Sequence, residues 1–204
     1  MRCFGDGSDL YGAYHDHEWG RPVHDERGLF ERICLESFQS GLSWLTVLRK
    51  RAHLREAFCA FDPQGVASFE SADVGRLLND SGAIRNRAKI EATVANARAT
   101  LDLRAGSTPL HELVWSFRPE PGPAPTSFTE VPSFTPESTA LAKTLKRNGF
   151  RFVGPTTVYA LMQACGLVND HLAGCLVRAE VARRQTEVTL GALAGKGSTM
   201  GGLR

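Results

Sequence analysis

Apolar residues recur at helical spacing along most of the chain. Between Asp25 and Arg55, Leu29, Phe30, Ile33 and Cys34 mark one face of a helix, and Leu35 widens it. Ser40 and Gly41 interrupt the pattern before Leu42, Trp44, Leu45, Val47 and Leu48 resume it, which predicts two helices parted by a tight break. Phe58 to Leu103 stays helical with short connections: Asp62-Pro63 as a turn and cap, a helical turn over Asp73–Leu78, and a long amphipathic helix led in by Ile84 to Ile90. Leu110 to Phe117 predicts a short helix with Trp115 in the core. Residues 119–136 hold six of the ten prolines and read as a surface loop, after which Thr135-Pro136 starts another helix carrying Leu141 and Leu145.

The stretch Gly149 to Cys175 organises the rest. Phe152-Val153-Gly154-Pro155-Thr156 predicts a tight turn opening a helix, with Gly154 supplying unusual backbone angles and threonine hydroxyls bonding free amides. Such a helix start suits a phosphate, because unpaired N–H groups and the helix dipole point outward. Val158 to Cys165 is an apolar run too short to span a membrane. His171 and Cys175 stand four apart, so on a helix both project from one face and make half of a zinc site.

Composition narrows the chemistry. A chain of 204 residues with 42% apolar and 23% charged residues suits a soluble globular protein with one good core or two small ones. The net charge of +2 supplies no global basic field, so a nucleic-acid surface has to be local. The candidates are Arg85, Arg87 and Lys89 in one half, and Lys143, Lys146, Arg147 and Arg151 just before the Gly154 turn. Five cysteines without a secretory leader predict a reducing, cytoplasmic setting and no disulfide framework; Cys34, Cys59 and Cys165 read as buried packing residues. Residues 179–204 turn basic and then Gly/Ser-rich, and read as a frayed tail beyond a domain of residues 1–178, although Arg183-Arg184 could touch nucleic acid.

The first twenty residues are dense in chemistry and are expected to be poor in regular structure. Cys3 precedes a Gly-rich loop, and Tyr11, Tyr14, His15, His17 and Trp19 follow. Cys3 and one of the two histidines could join His171 and Cys175 in a closed four-ligand site, which would tether the chain ends without taking part in catalysis.

With these motifs in place, the chain resembles the DNA-3-methyladenine glycosylase I family. The resemblance rests on LYGAYHDHEWG (10–20), ICLESFQSGLSWLTVLRKR (33–51), IRNRAKIEA (84–92), VWSF (114–117) and KRNGFRFVGPTTVYALMQACGLVNDHLAGC (146–175). It implies an all-α fold of the helix-hairpin-helix glycosylase type, with the hairpin at Phe152 to Thr156 and DNA contacts from Arg151, Gly154 and Thr156. It implies one structural zinc on Cys3, His15, His171 and Cys175, joining the N- and C-terminal regions. It also makes Glu36 the base-recognising carboxylate, Tyr11 and Tyr14 an aromatic wall, Trp44 the stacking tryptophan, and Gly41-Leu42 the segment nearest the extruded nucleotide.

The implied activity is excision of cationic 3-methyladenine flipped from double-stranded DNA by a monomeric enzyme away from any membrane, with a non-catalytic lesion-binding module as the alternative. Many superfamily members carry an Asp after the hairpin where this chain has Asn169, which leaves Glu36 as first candidate for the water-activating group and Asp170 as second or as a support for His171. No lysine stands out as a Schiff-base nucleophile, so the expected product is an abasic site in an uncut strand. A deaminase-like catalytic zinc is disfavoured because no Cys-x-x-Cys occurs.

Overall fold

Short polar side chains set most of the helix starts in the computed structural model, which describes residues 1–5 and 7–197, with side chains up to 187. Ser8 caps α1 (Asp9–His17), Asp25 caps α2 (Glu26–Gln39) and Ser43 caps α3 (Trp44–Ala57), each accepting a backbone N–H. Asp62 does the same for α4 (Pro63–Ala67) and Asn86 for α6 (Arg87–Ala105), with α5 (Ser71–Asn79) between them. After α7 (Leu110–Trp115) the Pro-rich loop leads to α8 (Pro136–Arg147), started by Thr135 and Ser138 in a reciprocal capping pair. A turn then connects to α9 (Pro155–Ala164), and α10 is Arg178–Gly197. The described residues form helices, turns and loops with no strand, and none of their helices is long and apolar enough to cross a membrane.

The helix carrying Glu36 sits at the centre of the fold, with four other helices packed directly on it. Leu29, Phe30, Cys34, Leu35 and Phe38 of α2 have no solvent exposure, and α2 touches α3, α6, α7 and α9. A central helix offers a rigid base for a polar group that must be buried. Glu18 locks the N-terminal region onto this layer by accepting from Arg32 of α2 at 3.0 Å and from Arg51 of α3 at 2.5 and 2.7 Å. Burial pushes the Glu18 carboxyl up, but the Arg51 and Arg32 contacts outweigh it and hold the pKa below its usual value. A depressed folded pKa contributes stability above the unfolded pKa and loses it as pH falls through the folded one. Glu18→Gln is therefore expected to cost roughly 1–3 kcal/mol at neutral pH, with the gap to the parent closing in acid; melting curves across pH check this.

Several sequence expectations change. The first twenty residues contain a helix, α1, because the Ser8 cap and Asp9 in the first turn outweigh the nearby glycines. Cys59 is exposed: it opens a short turn, Cys59–Phe61, whose three residues all have φ near +50°, and burial falls instead on Phe61. Trp115 sits at the core edge, half-buried, with its indole N–H donating to the Val23 carbonyl at 2.8 Å. The segment read as a tail from residue 179 is helical through 197, and its first turns pack, with Val181 fully buried and Gln185 donating to the Val168 carbonyl. Residues 198–204 lie outside the described residues.

Candidate active site and metal cluster

Glu36 lies near the end of α2 with 5% of its surface exposed, and no described residue gives it a hydrogen bond or ion pair. Burial pushes its pKa up to about 8, against a smaller opposing pull from Arg32 one turn earlier. Tyr14 of α1 and Trp44, the first residue of α3, face each other with ring centres 5.0 Å apart and planes at 46°. The Trp44 indole N–H is buried without a partner. The Tyr14 phenol is held well above its ordinary pKa, first by burial and then by the nearby Glu36 charge.

A buried carboxylate and a buried indole N–H left unsatisfied together are costly in an inert core, by about 1–3 kcal/mol for each neutral group and more for a charged one. Aromatic rings near an unpaired acid suit a flat cation. Tyr11 is half-buried and packs on Phe4 at 5.1 Å. Phe4 also approaches His15 and Trp19, both at 4.9 Å, and Tyr14 at 6.5 Å, so it links the aromatic residues around Tyr14 to His15. Sequence reasoning passed over Phe4, and the available signal was its position directly after Cys3.

The break after α2 is the glycine turn expected from the sequence, with Gly41 at φ +77° and Leu42 40% exposed. Lys89 does not join Arg85 and Arg87 in a basic patch. It is 6% exposed and its ammonium donates to the Phe38 and Ser40 carbonyls at the end of α2. On the hairpin side, Lys143, Lys146, Arg147, Arg151 and Thr156 are exposed. Gly154 caps α9 at an ordinary φ of −75° and no side chain caps that helix, so the predicted threonine bonds are not formed. Positive φ falls on Gly149 and Phe152 instead, because the reversal of direction occurs before Gly154.

Cys3, His15, His171 and Cys175 converge so that their donor atoms all lie within 4.8 Å of one another, a set that could hold a metal ion. His171 and Cys175 do not share a helix; they occupy the turns before α10 and meet through the loop. His171 Nδ1 is 3.4 Å from the Cys175 sulfur and 3.5 Å from the Cys3 sulfur, and His15 Nε2 is 3.4 Å from the Cys175 sulfur. His17 points away and is exposed. The outer nitrogen of each cluster histidine is engaged: His15 Nδ1 with Asp16 at 2.7 Å, and His171 Nε2 with the Trp19 carbonyl at 3.1 Å. Asp170 does not support His171. Its carboxylate accepts from the Tyr159 hydroxyl at 2.8 Å and the Gln163 amide at 2.7 Å, beside a cavity of about 300 Å³ walled by the Pro-rich loop and α10. Asn169 serves the local turn by accepting from the His171 amide.

A helical scaffold with an unpaired buried acid close to packed aromatic rings, joined through Ser37 to an exposed helical hairpin, has the layout of a helical DNA glycosylase. Residues 4–179 match the methyladenine glycosylase family model, and the chain belongs to that family. It is 52% identical to DNA-3-methyladenine glycosylase 1 of Escherichia coli (strain K12) over 169 residues, covering 81% of this chain and 90% of that protein. Its identity to the DNA-3-methyladenine glycosylase of Haemophilus influenzae is 47%, covering 81% and 91%. A crystal structure of 3-methyladenine DNA glycosylase I superposes with a TM-score of 0.84 at 50% identity, covering 86% of this chain and 98% of that one. The Staphylococcus aureus enzyme, solved to define 3-methyladenine recognition, gives 0.83 at 34% identity, covering 86% and 95%.

Proposed function

We propose that this protein excises 3-methyladenine from alkylated double-stranded DNA by hydrolysing the N-glycosidic bond, leaving an abasic site. The observation that carries the reading is the unpaired, buried Glu36 beside the Tyr14–Trp44 rings. In DNA the methylated base is cationic. It stacks and makes cation–π contacts with the rings, while Glu36 supplies the opposite charge and accepts hydrogen bonds from the base edge. The bond from base nitrogen to sugar carbon breaks with its electron pair going to the base, which becomes neutral; water bonds to the sugar carbon and gives up a proton. Departure of a charged base needs little acid catalysis, and Glu36 is the first candidate to orient or deprotonate the water.

Arg151, Gly154 and Thr156 hold backbone phosphates at the open start of α9, and Gly41-Leu42 enters the space left by the extruded nucleotide. Tyr11 extends the aromatic wall through Phe4. The four-residue cluster holds one structural zinc. Tetrahedral Zn–S and Zn–N bonds put nitrogen and sulfur ligands roughly 3.5 Å apart, and the three sulfur–nitrogen separations of 3.4 to 3.5 Å fit that edge. With all four positions taken by protein, this metal ties the ends of the fold together. The protein works as a cytoplasmic monomer.

Release of free base from methylated duplex DNA tests the reading. Liberated 3-methyladenine with uncut strands is the expected result. Retained binding to methylated DNA without release would refute the enzyme and leave a lesion-binding module.

A further inference from the structure

The longest wholly described helix, α6, buries a polar stripe on one side. Lys89, Thr93, Asn96 and Thr100 recur at helical spacing and are between 0% and 6% exposed, where apolar residues would be expected. Thr93 and Thr100 return their hydroxyls to carbonyls of α6 itself. Lys89 and Asn96, two turns apart, reach outward to two different loops.

The Lys89 ammonium takes the Phe38 and Ser40 carbonyls, so it occupies the frayed end of α2 where Gly41 and Leu42 begin. Asn96 makes a two-way pair with Arg151, accepting its N–H at 2.7 Å and donating to its carbonyl at 3.2 Å. Ser37, next to Glu36, adds a bond at 3.4 Å to the Phe152 carbonyl. One rigid helix thus holds both surface turns, two helical turns or roughly 10 Å apart along its axis. The turn closes on itself through the Leu42 N–H and the Gln39 carbonyl at 2.6 Å and runs into α3 at the Ser43 cap, and the Lys89 bonds are what tie it to α6. A Cβ added at Gly41 would touch nothing, so that side of the turn is open.

We propose that Lys89 is a positioning residue for base extrusion: by clamping the end of α2 it sets the Gly41-Leu42 turn at a fixed offset from the phosphate-binding hairpin turn, which α6 holds through Asn96. This rests on the reading of Gly41-Leu42 as the segment that enters the DNA. Because binding of the base and opening of the duplex are different tasks, the clamp matters only where a base pair has to be opened.

The test compares Lys89→Met, Lys89→Arg and Leu42→Ala in three measurements: binding of free 3-methyladenine, and single-turnover base release from methylated duplex and from methylated single-stranded DNA. Lys89→Met should keep free-base binding and single-strand release, while duplex release falls about tenfold to a hundredfold, the scale of a small misplacement. Lys89→Arg, which retains donors for both carbonyls, should recover most of the duplex rate. Equal losses on the two DNA forms, loss of free-base binding, or a parental duplex rate in Lys89→Met would each overturn the inference. A parental duplex rate in Leu42→Ala would instead refute the turn's entry into DNA, and the inference with it. Loss in Leu42→Ala without loss in Lys89→Met would remove the inference alone.

Discussion

Glu36→Gln is expected to lose nearly all base excision and yet to melt at a higher temperature than the parent. The two effects share one cause. Glu36 is buried without a partner, so its charge is available to a cationic base and unfavourable without one. Removing one member of a buried charge pair costs about 3–5 kcal/mol, and if this is lost from the transition state the rate falls by roughly two to three and a half orders of magnitude. Stability moves the other way. Burial raises the Glu36 pKa from an ordinary 4.5 to about 8. Below the lower value both folded and unfolded chains are protonated there, and nothing is lost. Between the two values the unfolded chain has released a proton that the folded chain retains, so stability declines as pH rises, and it levels off above the folded pKa.

Glutamine lacks this dependence. Its advantage should be absent in mild acid and grow to roughly 10–20 °C near pH 8, as read by melting curves at several pH values. The same ionisation sets the activity profile. For a cationic lesion, kcat/KM of the parent should climb with pH and flatten near the Glu36 pKa of about 8. A flat residual profile in Glu36→Gln would tie that limb to this carboxyl, whereas a variant as active as the parent would remove Glu36 from the pocket chemistry.

Cys175→Ala, or stripping of the metal from the parent, is expected to give the largest fall in stability. The cluster joins residues near position 3 to residues near position 175. Treated as a cross-link closing a loop of that length, it is worth about 5 kcal/mol in chain entropy. For a chain of this size that corresponds to roughly 10–20 °C in melting temperature. Base binding should weaken as a consequence, because His15 follows Tyr14 directly and Phe4 follows Cys3, so releasing the ligands loosens the aromatic wall. Metal analysis of the parent should return one zinc per chain. Equal melting of Cys175→Ala and parent would eliminate the structural metal.

The helices of residues 25–105 were legible because each couples a cap residue to an apolar face at one period, and both signals are local. The blocks around Glu36, Tyr14 and Trp44 singled these residues out without showing that they are buried or that the two rings meet, and the break at Gly41 was legible through its composition alone. Lys89 was misread for an equally physical reason. On the sequence it is one of three basic residues at a helix start, and only the arrival of the α2 carbonyls shows that it points inward. The ligand geometry of His171 and Cys175 was likewise attributed to a helix that does not exist, although the pair converges.

By itself the sequence determined where helices begin, which faces are apolar, and which residue types could form a cation receptor or a four-ligand site, since caps, periodicity and side-chain chemistry are properties of neighbours in the chain. The tertiary structure alone decided that Glu36 has no partner, that Asp16 and the Trp19 carbonyl engage the two cluster histidines, that Asp170 turns to Tyr159 and Gln163, and that α6 holds both surface turns. Those facts depend on desolvation and on contacts between residues up to 152 positions apart, which follow from how the helices pack and not from the order of residues along them.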